Sequence, residues 1–177
     1  SNCTIRDSYS NIGAGSGVYM TGGLLYGCTI VSNELFSNQG GGGVSASGAG
    51  VLISHCVIAY NRQTRDGSAG GVSLGGGAQL RNSLVRANTS TGPVGGVYVA
   101  GAGSLVESCT VVDNAASGDG GGIYIAGGSV SNSIVYFNSA GSYPNYRPGG
   151  NGLAYSCATP LPAGPGNTDL DPMFMDR

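Results

Sequence analysis

One phrase recurs along this chain, and it limits the fold more tightly than any single residue does. AGGVSLGGGAQLRNSLVRAN (69–88) is followed by VGGVYVAGAGSLVESCTVVDN (94–114) and then by GDGGGIYIAGGSVSNSIVYFN (118–138). Each copy has two glycines, an apolar-x-apolar triplet, a Gly-rich turn, a Leu or Val, then Cys or Ser, x, Ile or Val, and Asn. With the Cys/Ser position as anchor, the copies sit at Cys3, Cys28, Cys56, Ser83, Cys109, Ser133 and Cys157, 24–28 residues apart. Two places later stand Ile5, Ile30, Ile58, Val85, Val111 and Val135. Five places after the anchor stand Asn33, Asn61, Asn88, Asn114 and Asn138, with Ser8 in the first copy and Pro162 in the last. Residues are inserted between Asn and the glycines, as loops on a rigid scaffold are.

Alternation with period two indicates strand, here about five residues long. One copy cannot bury its own apolar face, but stacked copies can share a core. Coils stacked in register pair their backbones at about 4.8 Å and form parallel sheets. The expected fold is therefore all-β, a right-handed parallel β-helix of about six to seven coils with 24–28 residues each. Residues 1–160 supply the coils and 161–177 a closing segment. Glycine is expected at corners with φ > 0, and the asparagines are expected to stack and bond from coil to coil.

Composition narrows the function. The chain has 35 glycines among 177 residues, 9% charged residues, no lysine and a net charge of −2. Nucleic-acid binding calls for clustered cations, which seven scattered arginines do not provide. No run of 18 apolar residues is present, so no helical membrane-spanning segment is expected. The sequence opens in mid-phrase on Ser1-Asn2-Cys3, as a piece of a longer product would.

The phrases GGGIYI, GGVYV, SCTVVDN and SNSIVYFN resemble the right-handed parallel β-helix repeat proteins of bacteria, across about residues 1–160. The Gly-Gly motif followed by xxxN is similar to the repeats of polymorphic outer-membrane adhesins, with the FxxN half degenerate at Val135-Tyr136-Phe137-Asn138. The ending GPGNTDLDPMFMD, 164–176, resembles the closing segment of secreted bacterial β-helix proteins. The resemblance implies a secreted or cell-surface location. It also raises polysaccharide lyase or glycoside hydrolase activity as the alternative function, because many such proteins are carbohydrate-active.

Glycoside hydrolysis needs two carboxylates roughly 5–9.5 Å apart. Asp7 and Asp113 share a register but lie four coils apart. Glu34 and Glu107 occupy different registers, and Asp66 and Asp119 lie in turns two coils apart. Without lysine, Arg86 is the best-placed candidate for a lyase base, and its register in the next coil holds Val112. No catalytic set is assigned, and any catalytic coils would lie outside this segment. His55, at a position otherwise held by polar residues and glycine, reads as a solvated surface side chain.

The five cysteines, Cys3, Cys28, Cys56, Cys109 and Cys157, share their register with Ser83 and Ser133, which points to small buried fillers and not to disulfides. No CxxC or comparable spacing suggests a metal centre. Asp169, Asp171 and Asp176 offer oxygen ligands for calcium, the one cofactor with any place in the sequence. Tyrosine is the more suggestive residue. Tyr19, Tyr98 and Tyr124 fall at the outward position of the Gly-Val strand, and Tyr98 and Tyr124 are expected one coil apart. Such a strip suits contact with glycans or other surface proteins. The expected role is a non-catalytic structural or adhesive segment, with end-to-end stacking or continuation of the coil in a longer chain.

Overall fold

A computed structural model of the chain describes residues 1–175. Among them are 24 short strands and no helix. The strands form four parallel sheets, and the chain visits the four in turn in each of the first five coils. The first sheet has seven strands, Thr4–Arg6, Thr29–Val31, Val57–Ala59, Leu84–Arg86, Thr110–Val112, Ile134–Tyr136 and Cys157–Ala158. The second has five two-residue strands, from Tyr9–Ser10 to Ala115–Ala116. The third runs over six strands from Val18–Met20 to Tyr146–Arg147, and the fourth over six from Gly23–Tyr26 to Leu153–Ala154. This is a parallel β-solenoid of about six turns.

Pairing between coils follows the repeat. Ile5 opposes Ile30, Ile30 opposes Ile58, and Val85 opposes Val111. Ile30, Ile58, Val85, Val111 and Val135 are fully buried and form one wall of the core. Val44, Val72, Val97 and Ile123, from the third sheet, face the same interior.

The strands are two to four residues long, shorter than the five expected from sequence. Corners with left-handed backbone account for the difference. The residue before the anchor has positive φ in Asn2, His55, Asn82, Ser108 and Asn132, and the residue four after it does so in Asp7, Ser32, Tyr60, Ala87, Asp113 and Phe137. These φ values lie between 46° and 56°. The chain therefore turns after every three residues of the first sheet, and only Gly27 among these corners is glycine. Left-handed geometry costs a non-glycine residue about 1 kcal/mol or more, so packing must hold each corner in place.

Many glycines instead serve close approach. A Cβ on Gly71 would lie 2.6 Å from the Gly96 carbonyl oxygen and 3.1 Å from Asn88 Nδ2. The paired glycines thus leave room for the next coil and for a row of asparagine side chains.

That row is continuous. Asn61 Oδ1 accepts the Asn33 backbone N–H at 3.0 Å and its Nδ2–H at 2.9 Å. Asn88 does the same for Asn61, Asn114 for Asn88, and Asn138 for Asn114. Each Nδ2 also donates to a first-sheet carbonyl of the preceding coil, as Asn88 does to Ile58 at 2.9 Å. All five asparagines are buried. Ser8 N–H meets Asn33 at one end of the row. At the other end, Asn145 Oδ1 accepts from Asn138 N–H at 3.0 Å and Nδ2–H at 3.2 Å. Asn145 precedes the Tyr146 that opposes Ile123, so it takes the place of the glycine at 122 and fills the slot from the third sheet.

The last coil is shifted by one residue from the sequence expectation. Cys157 opposes Ile134 and Ala158 opposes Val135, so Ser156 occupies the anchor position and Cys157 lies outside the column. Ser156 Oγ accepts the Ser133 N–H at 3.2 Å. With this register the small apolar Ala158, fully buried, faces the core in place of Thr159. The closing segment then extends the first sheet. Thr168 bridges to Cys157, and Ala158 N–H donates to the Thr168 carbonyl at 2.9 Å. Phe174 packs near Phe137, with ring centroids 6.3 Å apart.

Position along the asparagine row should set the cost of breaking it. Asn88→Ala strands two buried donors of Asn61 and is expected to lower unfolding free energy by about 2–4 kcal/mol. Asn145→Ala, at the rim, should cost about 1–2 kcal/mol. Denaturant unfolding of both variants checks this; equal and negligible losses would show that the row carries no stability.

Candidate functional site

The outward column of the third sheet reads Tyr19, Ser45, Ser73, Tyr98, Tyr124 and Arg147 through successive coils. Its neighbours along each strand point into the core, so alternation fixes these side chains outside. The Tyr98 and Tyr124 rings tilt against each other, with centroids 5.3 Å apart and planes at 56°. The Arg147 guanidinium lies 4.2 Å from the Tyr124 ring centroid and pairs with Asp119. The three side chains form one stack, in which Tyr98 and Tyr124 are half-buried. Tyr19 stands apart, separated from Tyr98 by Ser45 and Ser73, and is 61% exposed. A groove of about 400 Å³ adjoins it, lined by Ile12, Gly13, Ala14, Gly15 and Gln39.

Sequence reasoning did not place Arg147 or Asp119 in this column. The signal was Asn145-Tyr146-Arg147, a copy of the Gly-Ile-Tyr triplet whose glycine is replaced by asparagine. Without the glycine pair the strand does not announce itself.

The charged groups considered for catalysis are dispersed, and several are already occupied. Glu107 pairs with Arg81 at 2.8 Å, and Asp7 lies 3.6 Å from Arg6. Arg86 donates to Tyr60 Oη at 2.7 Å and lies over the Tyr60 ring at 5.5 Å. His55 occupies a left-handed corner, with Nδ1 2.8 Å from Ser54 Oγ and its ring 5.0 Å from that of Tyr26. Asp171 accepts the Met173 N–H at 2.8 Å and so closes a local turn, while Asp169 is exposed. Asp176, the third acidic residue considered for calcium, lies outside the described residues.

All five cysteines are free thiols. Cys28, Cys56 and Cys109 are buried in the anchor column, Cys3 heads it in an exposed position, and Cys157 donates to the Leu170 carbonyl at 3.1 Å. Serine does more than fill space here. Ser83 Oγ accepts the Cys56 N–H, and Ser133 Oγ accepts the Cys109 N–H, both at 3.1 Å. Burial pushes the Cys109 thiol up to about 11, against the partly opposing hydrogen bonds at Ser83 and Glu107. Burial likewise raises Cys56.

Residues 1–159 match the family described as the right-handed β-helix region. No curated protein and no solved structure matches the chain.

The raised Cys109 pKa has a signed consequence for stability. The fold favours the neutral thiol, so its contribution is complete below pH 9 and is lost as pH rises from 9 through 11. The loss is expected to reach about 2–3 kcal/mol. Cys109→Ser should unfold within about 1 kcal/mol of the parent at pH 7, since serine already fills this column at 83 and 133. Between pH 9 and 11 its stability should fall less steeply. Denaturant melts across that range check this; parallel decline in both proteins would remove Cys109 as the cause.

Proposed function

We propose a non-catalytic structural or adhesive role for this chain, which belongs to the right-handed β-helix family, as part of a secreted or cell-surface bacterial protein. The fold supports a structural or carbohydrate-related repeat domain. The stack of Tyr98, Tyr124 and Arg147 on the third sheet is the observation that carries the finer proposal. Aromatic faces beside a cation suit the apolar face and hydroxyl rim of a sugar ring, or a partner side chain of similar character. Ser73, half-buried beside Tyr98, leaves low ground onto which a ligand can extend. A rigid coil holds these groups at fixed spacing, so binding would order few side chains. The partners proposed are glycans or other surface proteins, with further coils or stacked copies continuing the rod.

Replacing both Tyr98 and Tyr124 with Ser tests the proposal. Serine already stands in the same column at 45 and 73, so the variant should keep its β-sheet circular dichroism. Its affinity for a glycan or partner identified on an array should fall about tenfold or more, equivalent to about 1.4 kcal/mol. Unchanged binding by a folded double variant would reduce the strip to an ordinary strand surface.

A further inference from the structure

We infer that Cys3, Cys28 and Cys56 form a binding column for a soft, linearly two-coordinate cation of the Hg(II) or Ag(I) kind. The inference goes beyond the adhesive role and does not depend on it. These three are the only cysteines on consecutive coils, since Ser83 follows Cys56 and Cys109 lies between Ser83 and Ser133.

Their thiols repeat one geometry. Cys3 Sγ donates to the Ser1 carbonyl at 3.2 Å, Cys28 to Tyr26 at 3.3 Å, and Cys56 to Ser54 at 3.3 Å, in each case two residues back. Identical side-chain placement on in-register coils separates successive sulfurs by the coil rise, about 4.8 Å. Cys56 Sγ also lies 3.6 Å from the Leu25 carbonyl, which places it toward the preceding coil. The usual Cβ separation in a disulfide, about 3.8 Å, is shorter than that rise. Two metal–thiolate bonds of about 2.3 Å each, laid end to end, span about 4.6 Å. An ion between two sulfurs therefore fits without displacing the coils.

The coordination number selects the ion. Among the described residues no group of three or more His, Cys, Asp or Glu is placed to hold a metal, so a tetrahedral zinc site is not available. Two thiolates in line suit soft ions that accept two ligands. On binding, each thiol releases its proton to solvent and two sulfur–metal bonds form, with no change of oxidation state. A Hg(II) bis-thiolate is neutral, and an Ag(I) bis-thiolate carries one negative charge. The buried Cys28–Cys56 pair accordingly favours Hg(II). Cys3, exposed just before the edge strand Thr4–Arg6 of the first sheet, gives the ion its first thiol. Opening of that edge coil then leads to Cys28.

Titration of the full chain with Hg(II) chloride tests the inference. The expected result is one ion per chain held by two thiols, read as two thiols lost to titration for that ion, with the ultraviolet absorbance of a bis-thiolate and a raised Tm from the link between coils. Cys28→Ser, which takes a thiol from both pairs of the column, should abolish the two-thiol site and its bis-thiolate absorbance, leaving ions only on single thiols such as Cys3 and Cys157. Cys109→Ser and Cys157→Ser should retain both. Circular dichroism of each variant before titration establishes that it is folded. A two-thiol site that survives Cys28→Ser, one that disappears with Cys109→Ser or Cys157→Ser, or a metal-induced fall in Tm would overturn the inference.

Discussion

The structure depends on one geometric condition, that successive coils stay in register at the spacing of a parallel β-ladder. The asparagine row imposes this condition from inside. From Asn61 onward each Oδ1 takes two protons from the neighbouring coil, and each Nδ2 spans to a first-sheet carbonyl, so a slip of one residue breaks several buried hydrogen bonds at once. The glycine pairs make the row possible, because a Cβ at Gly71 or Gly43 would meet both the next coil's carbonyl and an asparagine amide. Glycine content that suggests disorder in other chains is here a condition of close packing. The non-glycine corners follow from the same register. Tyr60, Phe137 and Ala87 accept left-handed backbone because the strands on either side leave no other path.

Inside the stack, the anchor column shows how far chemistry can vary once register is fixed. Cysteine and serine share the column, and serine adds an acceptor for the neighbouring coil's N–H. A thiol in the same place gives up that acceptor strength and gains apolar character, with burial pushing its ionisation upward at Cys56 and Cys109. Both solutions suit a position bordered by core on one side and backbone on the other.

Most of the coil was legible in the sequence because its determinants are local and repeated. The anchor, the apolar residue two places on and the asparagine five places on recur in linear order, and stacking turns each into a column. The strand lengths were not legible, because the left-handed corners are set by closure of the coil and fall on residues as unlike as Asp7, Ala87 and Phe137. The last coil was misplaced by one residue, since Ser156 and Cys157 are both acceptable anchors and only the burial of Ala158 decides between them. Asn145 escaped notice because it completes the row from another sheet. No linear spacing marks a side chain that precedes its anchor, Ser156, and stands in for an asparagine where Leu161 lies five places after it.

The outer surface obeys a different logic, and function would lie there. An outward substitution does not disturb the ladder, so it is tolerated singly, but the stack places it against its counterparts in the adjacent coils. Tyr98 and Tyr124 meet because copies four and five both carry tyrosine, and Arg147 joins them because copy six supplies a cation at the same register. Tyr19 has the same residue type and the same outward position, yet two serine-bearing coils leave it without an aromatic neighbour in its column. The chemical character of each patch is thus set by runs of adjacent copies, and the same rule brings three thiols into line at Cys3, Cys28 and Cys56 while leaving Cys109 alone. In a solenoid of this kind, a site is written across copies at one register, and residues some 25 positions apart in sequence become its nearest neighbours.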